Sequence, residues 1–227
     1  MRLPVKQLRK ADLEWLGSNY CRHGHTYLEH YTSCFLKDKP PTAPFTERVG
    51  FFDLETSGLK ADFAFIFSYA LLADTGELYG RVIRPDEIRS GKFDKDLVSE
   101  MCRDLKKFHR VVVHYGGDRR FDCPFARTRA LKHGCDFPLF KDIYVSDTWL
   151  MAKNKLKLRS NKLGVICEFF GITAKQHPLT PDVWQMACAG DKKSLGYIWT
   201  HNQEDVDSMA KVYYLLKDYT ARNKVSI

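Results

Sequence analysis

Val49-Gly50-Phe51-Phe52-Asp53-Leu54, followed by Glu55-Thr56-Ser57-Gly58, is the stretch on which the reading of the fold turns. Its apolar, β-prone run predicts a strand that stops at a Ser-Gly turn. Period two along a strand sends Asp53 and Glu55 to one face and Phe52 and Leu54 to the other, into a core. Neighbouring carboxylates repel, and burying them unpaired is costly. A hard divalent cation removes that penalty and prefers oxygen ligands. A solvated strand end carrying two acids is the competing reading of this pair taken alone.

Outward from this strand, residues 63–72 and 78–83 predict two more, joined by the turn Asp74-Thr75-Gly76. Three strands on short turns make an antiparallel meander. The period then changes. Leu97, Val98, Met101, Leu105 and Phe108 have helical spacing over 95–108, and 110–115 is a buried strand. Residues 124–133 form a helix with Pro124 in its first turn and Gly134 at its end, and 143–145 is a short strand. Helices are predicted over 147–153, 161–170, 181–189, 192–199 and 204–219. The order β-β-β-α-β-α-β-α implies an α/β fold: a mixed sheet, three antiparallel strands then alternating helix and strand, with flanking helices.

Two further acidic sites fall in this order. Asp122 follows the 110–115 strand and the Gly116-Gly117 turn, at the entrance of the 124–133 helix, where ligands of α/β sheets gather. The competing reading is an acid that complements the helix dipole. Asp118 is set aside because it lies in the glycine turn beside Arg119 and Arg120. His201 and Asp205 are four apart, on one face at the start of the predicted last helix. An imidazole there can take a proton from water, although a surface His–Asp contact is the commoner case. Asp207 points elsewhere, and Asp147 reads as a helix cap. Two-metal phosphodiester hydrolysis needs several carboxylates at one point, and this order supplies them.

At these residues the sequence resembles the DEDD exonuclease superfamily, which has the RNase H-like fold. Phe52-Asp53-Leu54-Glu55-Thr56 is similar to its first motif, Phe121-Asp122 with Pro124-Phe125 to its second, and His201-Asn202-Gln203-Glu204-Asp205-Val206 to its third. Phe121-Asp122-Cys123-Pro124-Phe125 and the His-Asn-x-x-Asp-Val ending resemble the YprB-like branch more narrowly. The resemblance implies a 3′–5′ exonuclease that uses two Mg²⁺ or Mn²⁺ ions on DNA or RNA, with a single-stranded 3′ end as substrate. It implies Asp53, Glu55, Asp122 and Asp205 as metal ligands and His201 as the group that positions or deprotonates water. The third motif departs from the pattern: it has the spacing of the Tyr-containing variant but carries His. A non-catalytic nucleic-acid-binding module and a structure-selective endonuclease are the alternatives on the same fold.

Lys plus Arg total 36 against 28 acidic residues among 227, a net charge of +8. That surplus favours a polyanionic partner. Arg119, Arg120, Arg127 and Arg129 cluster around the second motif, and Lys155, Lys157 and Arg159 stand in a basic stretch further on. Both sets are candidate phosphate contacts. Residues 1–44 read as a separate Cys/His-rich segment and linker, and 45–227 as the main domain. A helix is expected over 6–16, and Pro40, Pro41 and Pro44 mark the linker. Cys21, His23, His25, His30 and Cys34 are five metal-binding side chains in a short span. Two Cys and two His make a closed tetrahedral Zn²⁺ site, read as Cys21, His23, His30 and Cys34 with His25 as the alternative ligand. With seven Cys, no apolar leader and no apolar run near the ~20 residues that span a bilayer, the expectation is an intracellular protein with reduced thiols and no membrane partner.

Overall fold

The apolar run at Val49 becomes the central strand of a five-stranded sheet in a computed structural model that describes residues 10–35, 37, 40, 43, 47–118, 120–173 and 177–220. The chain divides into two units, Met1–Glu47 and Arg48–Ile227. In the second, β1 (Val49–Thr56), β2 (Ile66–Ala73) and β3 (Leu78–Val82) form the antiparallel meander. The strands β4 (Arg110–Val113) and β5 (Tyr144–Asp147) add in parallel, giving the order β3-β2-β1-β4-β5. Gly76 sits at φ 90° in the β2–β3 turn, a conformation that suits glycine. This is the mixed, RNase H-like sheet with flanking helices that the sequence predicts.

In the first unit lies α1 (Lys10–Ser18). Around the sheet are α2 (Pro85–Arg89), α3 (Lys95–Leu105), α4 (Asp122–His133), α5 (Thr148–Lys155), α6 (Leu163–Phe170), α7 (Pro181–Cys188) and α8 (Lys192–Leu216). One sheet face, with Phe52 and Leu54, packs on Leu97, Val98 and Met101 of α3 and Phe125, Ala126 and Ala130 of α4. The other face, with Val49, Phe51 and Val112, packs on Val206, Met209 and Ala210 of α8. Strand alternation therefore aims Asp53 and Glu55 at the helix that carries His201 and Asp205.

The largest departure from the sequence reading is α8. Two helices, 192–199 and 204–219, are one helix of 25 residues, so His201 and Asp205 lie in its middle and not at the start of a new helix. No proline interrupts it. Leu195, Ile198, Asn202, Asp205, Met209, Val212 and Leu216 are all buried at alternating spacings of three and four, so a continuous stripe carries the helix through its weaker formers. Smaller corrections follow from local chemistry. The second strand begins at Ile66 and not at 63, because Ser57 and Phe65 close a loop: the Ser57 amide donates to the Phe65 carbonyl at 2.9 Å, and the Phe65 amide to Ser57 Oγ at 3.0 Å. The fourth strand ends at Val113, since Tyr115 adopts φ 60°. α4 begins at Asp122, which places that residue in the first turn itself. α2, short and opened by Pro85, was not expected.

In the first unit Leu16, Tyr31, Phe35 and Ala43 pack with Trp15 and Tyr27, and Tyr31–Phe35 is a π-helical turn. Of the helix expected over 6–16, residues 6–9 lie outside the described residues, as do Lys39, Pro41, Thr42 and Pro44 of the linker.

Asp94 braces the second unit. It is fully buried, and its Oδ2 accepts from the Ile66 amide and from Arg129 Nε, both at 2.8 Å; His133 Nε2 is 2.8 Å from Oδ1. Arg129 also donates to the Ala61 carbonyl at 3.0 Å, in the loop after β1. Burial alone would raise the Asp94 pKa, but Arg129, the Ile66 amide and His133 outweigh it and hold the carboxyl below its ordinary value. A depressed carboxyl pKa adds stability above the unfolded value, about 3.9, and that stability is lost as pH falls through the folded value. Arg129→Met, which leaves the charge of Asp94 buried without its main partner, is expected to lower stability by about 3–5 kcal/mol in urea unfolding at pH 7. The difference from wild type should shrink below pH 4; a neutral effect at pH 7 would contradict the brace.

Candidate active site

Where β1 ends, its neighbour β4 has already left. The parallel pairing stops at Phe51–Val112, so the edge of β1 beyond that point is open on this side. The Asp122 carboxyl fills the gap: it is buried and accepts the backbone amide of Leu54, the residue between Asp53 and Glu55. Its room is made by Gly116, where a Cβ would lie 1.9 Å from Asp122 Oδ2. The Gly116 carbonyl accepts the Cys123 amide at 2.9 Å, which pins this loop to the start of α4. Burial raises the Asp122 pKa to about 7; its own amide and that of Leu54 oppose the rise, while the charges of Asp147 and Asp205 add to it.

From α8, His201 places Nε2 3.4 Å from Glu55 Oε1 and 3.5 Å from Asp205 Oδ2. One ligand atom each from Glu55, His201 and Asp205 lie within 4.8 Å of one another. His201 Nδ1 faces the His177 carbonyl, which can only accept, so Nδ1 carries the hydrogen. In the neutral ring the Nε2 lone pair then points at two carboxylates, an arrangement that calls for a proton or a cation between them. His177 is itself held by Glu204, with Nδ1 2.6 Å from Oε1. Asp53 accepts from Asn202 Nδ2 at 2.6 Å. The chemistry of this donor set, carboxylate oxygens and an imidazole beside an acid whose pKa is raised first by burial and then by neighbouring carboxylates, fits divalent cations.

Asp147 caps α5, accepting from Trp149 at 2.9 Å and Leu150 at 3.4 Å, as expected. It also accepts the amides of Tyr115 at 3.0 Å and Gly117 at 3.3 Å, so one carboxylate holds the loop that cradles Asp122. Sequence reasoning passed over Asn202, Gly116 and His177. Asn202 has a signal: an amide on the stripe where α8, Asp205 apart, places apolar residues.

The arginines around the second motif are mostly engaged by the protein. Arg129 is buried on Asp94, and Arg127 pairs with Asp118 at 3.3 Å. The guanidinium of Arg120 lies 4.2 Å from the Trp149 ring centroid and 5.1 Å from that of Tyr115, with Nε 3.6 Å from Asp147 Oδ2. Arg119 lies outside the described residues. Lys155 and Lys157 are exposed, and Arg159 pairs with Glu168 at 2.6 Å on the surface.

In the first unit Cys21, His23, His30 and Cys34 come together. Cys21 Sγ is 3.9 Å from His23 Nδ1 and 3.7 Å from His30 Nδ1; Cys34 Sγ is 3.2 Å and 3.6 Å from the same two atoms. His25 is not in the group: its ring stacks on His30 with centroids 4.1 Å apart.

Residues 50–217 match the RNase H superfamily. The chain belongs to that superfamily. Its fold is also similar to the solved family B DNA polymerase from the hyperthermophilic archaeon Pyrobaculum calidifontis, with a TM-score of 0.62 and 15% identity, over 76% of this chain and 25% of the polymerase. The chain thus spans about a quarter of that protein. Among curated proteins no sequence matches. Among the described residues no helix is long and apolar enough to cross a membrane.

The raised pKa of Asp122 has a consequence for cation binding. Below about 7 the metal-free carboxyl holds a proton, which a divalent ion bound by Asp122 would have to displace. Mn²⁺ affinity, measured by calorimetry from pH 5.5 to 8, is expected to rise through pH 7 and then level. The same group lowers metal-free stability as pH rises from about 4, because the folded state holds the extra proton there. A flat affinity profile would contradict Asp122 as a ligand of the ion.

Proposed function

We propose that this chain is a metal-dependent nuclease that removes nucleotides from the 3′ end of single-stranded DNA or RNA. The observation that carries this reading is the meeting of Glu55, His201 and Asp205 at the open end of β1, with Asp53 on the same strand and Asp122, from the start of α4, bonded to the strand's Leu54 amide. Membership in the RNase H superfamily supports nuclease-type chemistry. The 3′–5′ direction rests on the resemblance of the three motifs.

Asp53, Glu55, Asp122 and Asp205 would hold two Mg²⁺ or Mn²⁺ ions, which when bound supply an activated water and charge neutralisation at the scissile phosphate. The protein's own part is positional and protic. His201 has Nδ1 tied to the His177 carbonyl, so Nε2 alone is available to orient the attacking water and take its proton. Glu55 and Asp205 flank Nε2 and favour the imidazolium that results. The surplus of 36 basic over 28 acidic residues draws the polyanion toward an acidic pocket that would otherwise repel it.

The cluster of the first unit we assign to structural Zn²⁺. Tetrahedral zinc with ordinary Zn–S and Zn–N bonds has S···N edges of about 3.6 Å, and the four measured here run from 3.2 to 3.9 Å. Cys21 and Cys34 are buried, and the small cluster on Leu16, Tyr31, Phe35 and Ala43 is scant support for a fold without a metal.

Two experiments follow. On 5′-labelled single strands with Mn²⁺, the wild type is expected to give a ladder of 3′-shortened products and to spare a circular strand. Asp53→Ala should lower the rate by more than about 100-fold while keeping the wild-type circular dichroism spectrum. Full activity in that variant defeats the reading, cutting of the circle points to an endonuclease, and binding without cutting points to a passive module. Elemental analysis of protein purified without added metal is expected to find one zinc per chain, lost in a Cys21→Ser, Cys34→Ser double variant. Zinc-free protein with an intact first unit would contradict the assignment.

A further inference from the structure

Asn202 is a fully buried amide in the middle of α8, on the stripe otherwise formed by Leu195, Ile198, Met209, Val212 and Leu216, with Asp205 its only other polar member. An asparagine is a poor helix former, and buried polar groups are kept where their hydrogen bonds are made. Both ends of this amide are engaged. Asp53 Oδ2 lies 2.6 Å away, and because an ionised carboxylate only accepts, the atom facing it is Nδ2. Oδ1 is thereby turned toward Ser68 and accepts from its hydroxyl at 3.2 Å. Ser68 is also fully buried, and it stands on β2 directly opposite Glu55.

The result is a rail across three elements: Ser68 on β2 fixes the amide of Asn202 on α8, and Asn202 fixes Asp53 on β1. We infer that Asn202 and Ser68 are positioning residues that hold Asp53 in its ligand orientation and so set the divalent-ion affinity of the site. The inference rests on the proposed divalent site and adds two side chains to it. A neutral donor suits the task. Lysine or arginine would hold Asp53 as firmly, but its charge would repel the cations that the carboxylates gather. An amide stabilises the ionised carboxylate and leaves the negative charge of the cluster intact. Outer partners of metal ligands act in this way, by removing rotational freedom from the ligand before the ion arrives.

The test is calorimetric titration of Mn²⁺ into the full chain, compared with thermal unfolding in EDTA. Asn202→Ala is expected to weaken Mn²⁺ binding by about 10- to 100-fold, and Ser68→Ala by a smaller factor. In the double variant Ser68→Ala should add nothing, since it acts only through the amide. On a labelled strand at saturating substrate, the loss in Asn202→Ala should be recovered in part by raising Mn²⁺. Should Asn202→Ala fail to fold, Ser68→Ala, which removes one hydroxyl, carries the test. Lower thermal stability with wild-type Mn²⁺ affinity would overturn the inference, because it marks a purely structural amide. Additive effects of the two substitutions would overturn the rail. A wild type that binds no Mn²⁺ would overturn the divalent site itself, whereas binding that is unchanged in both variants overturns this inference alone.

Discussion

Mutual repulsion among carboxylates is the constraint around which this structure is built. Asp53 and Glu55 share one strand face, Asp122 abuts the backbone between them, and Asp205 approaches from the helix above. Left alone, such a group would splay apart or take up protons, and at Asp122 burial first, with the charges of Asp147 and Asp205 adding to it, raises the pKa to about 7. What keeps the acids together is apolar packing elsewhere. Val49 and Phe51 seat α8 on one face of the sheet, while Phe52 and Leu54 lock α3 and α4 to the other. The core beneath the site therefore holds the acids together against their repulsion, and a divalent cation held there, as proposed, would relieve it.

Each acid comes to the site by a different local device. A strand end delivers Asp53 and Glu55. The early departure of β4 and the absent side chain at Gly116 let Asp122 reach the edge of β1. The unbroken stripe of α8 carries Asn202 and Asp205 to the sheet at the depth of its apolar neighbours. Asp147, which reads as an ordinary helix cap, also fastens the loop in front of Asp122 through two further amides. Positioning thus relies on backbone amides, the neutral side-chain amide of Asn202 and apolar packing, which leave the site's negative charge in place.

Much of this is legible in the sequence. The order of elements follows from a change of hydrophobic period, and Asp53, Glu55, Asp122, His201 and Asp205 follow from their places on those elements. Long-range geometry was not legible. Thr200, His201 and Asn202 are weak helix formers that predict a break in α8, but the buried stripe on both sides overrides weak local preference. Arg129 read as a phosphate contact because its charge was visible and its buried partner Asp94, 35 residues away in sequence, was not. The choice between His23 and His25 takes three dimensions: the two are nearly equivalent by spacing, but it is His23 that comes together with Cys21, His30 and Cys34, while the ring of His25 stacks on His30.

Anomalous scattering from a crystal of the full chain soaked in Mn²⁺ at pH 7.5 tests the central claim most directly. The account predicts manganese peaks bounded by the carboxylates of Asp53, Glu55, Asp122 and Asp205, with His201 beside them. A clean map at that position, or peaks only at surface acids such as Asp207, would contradict it.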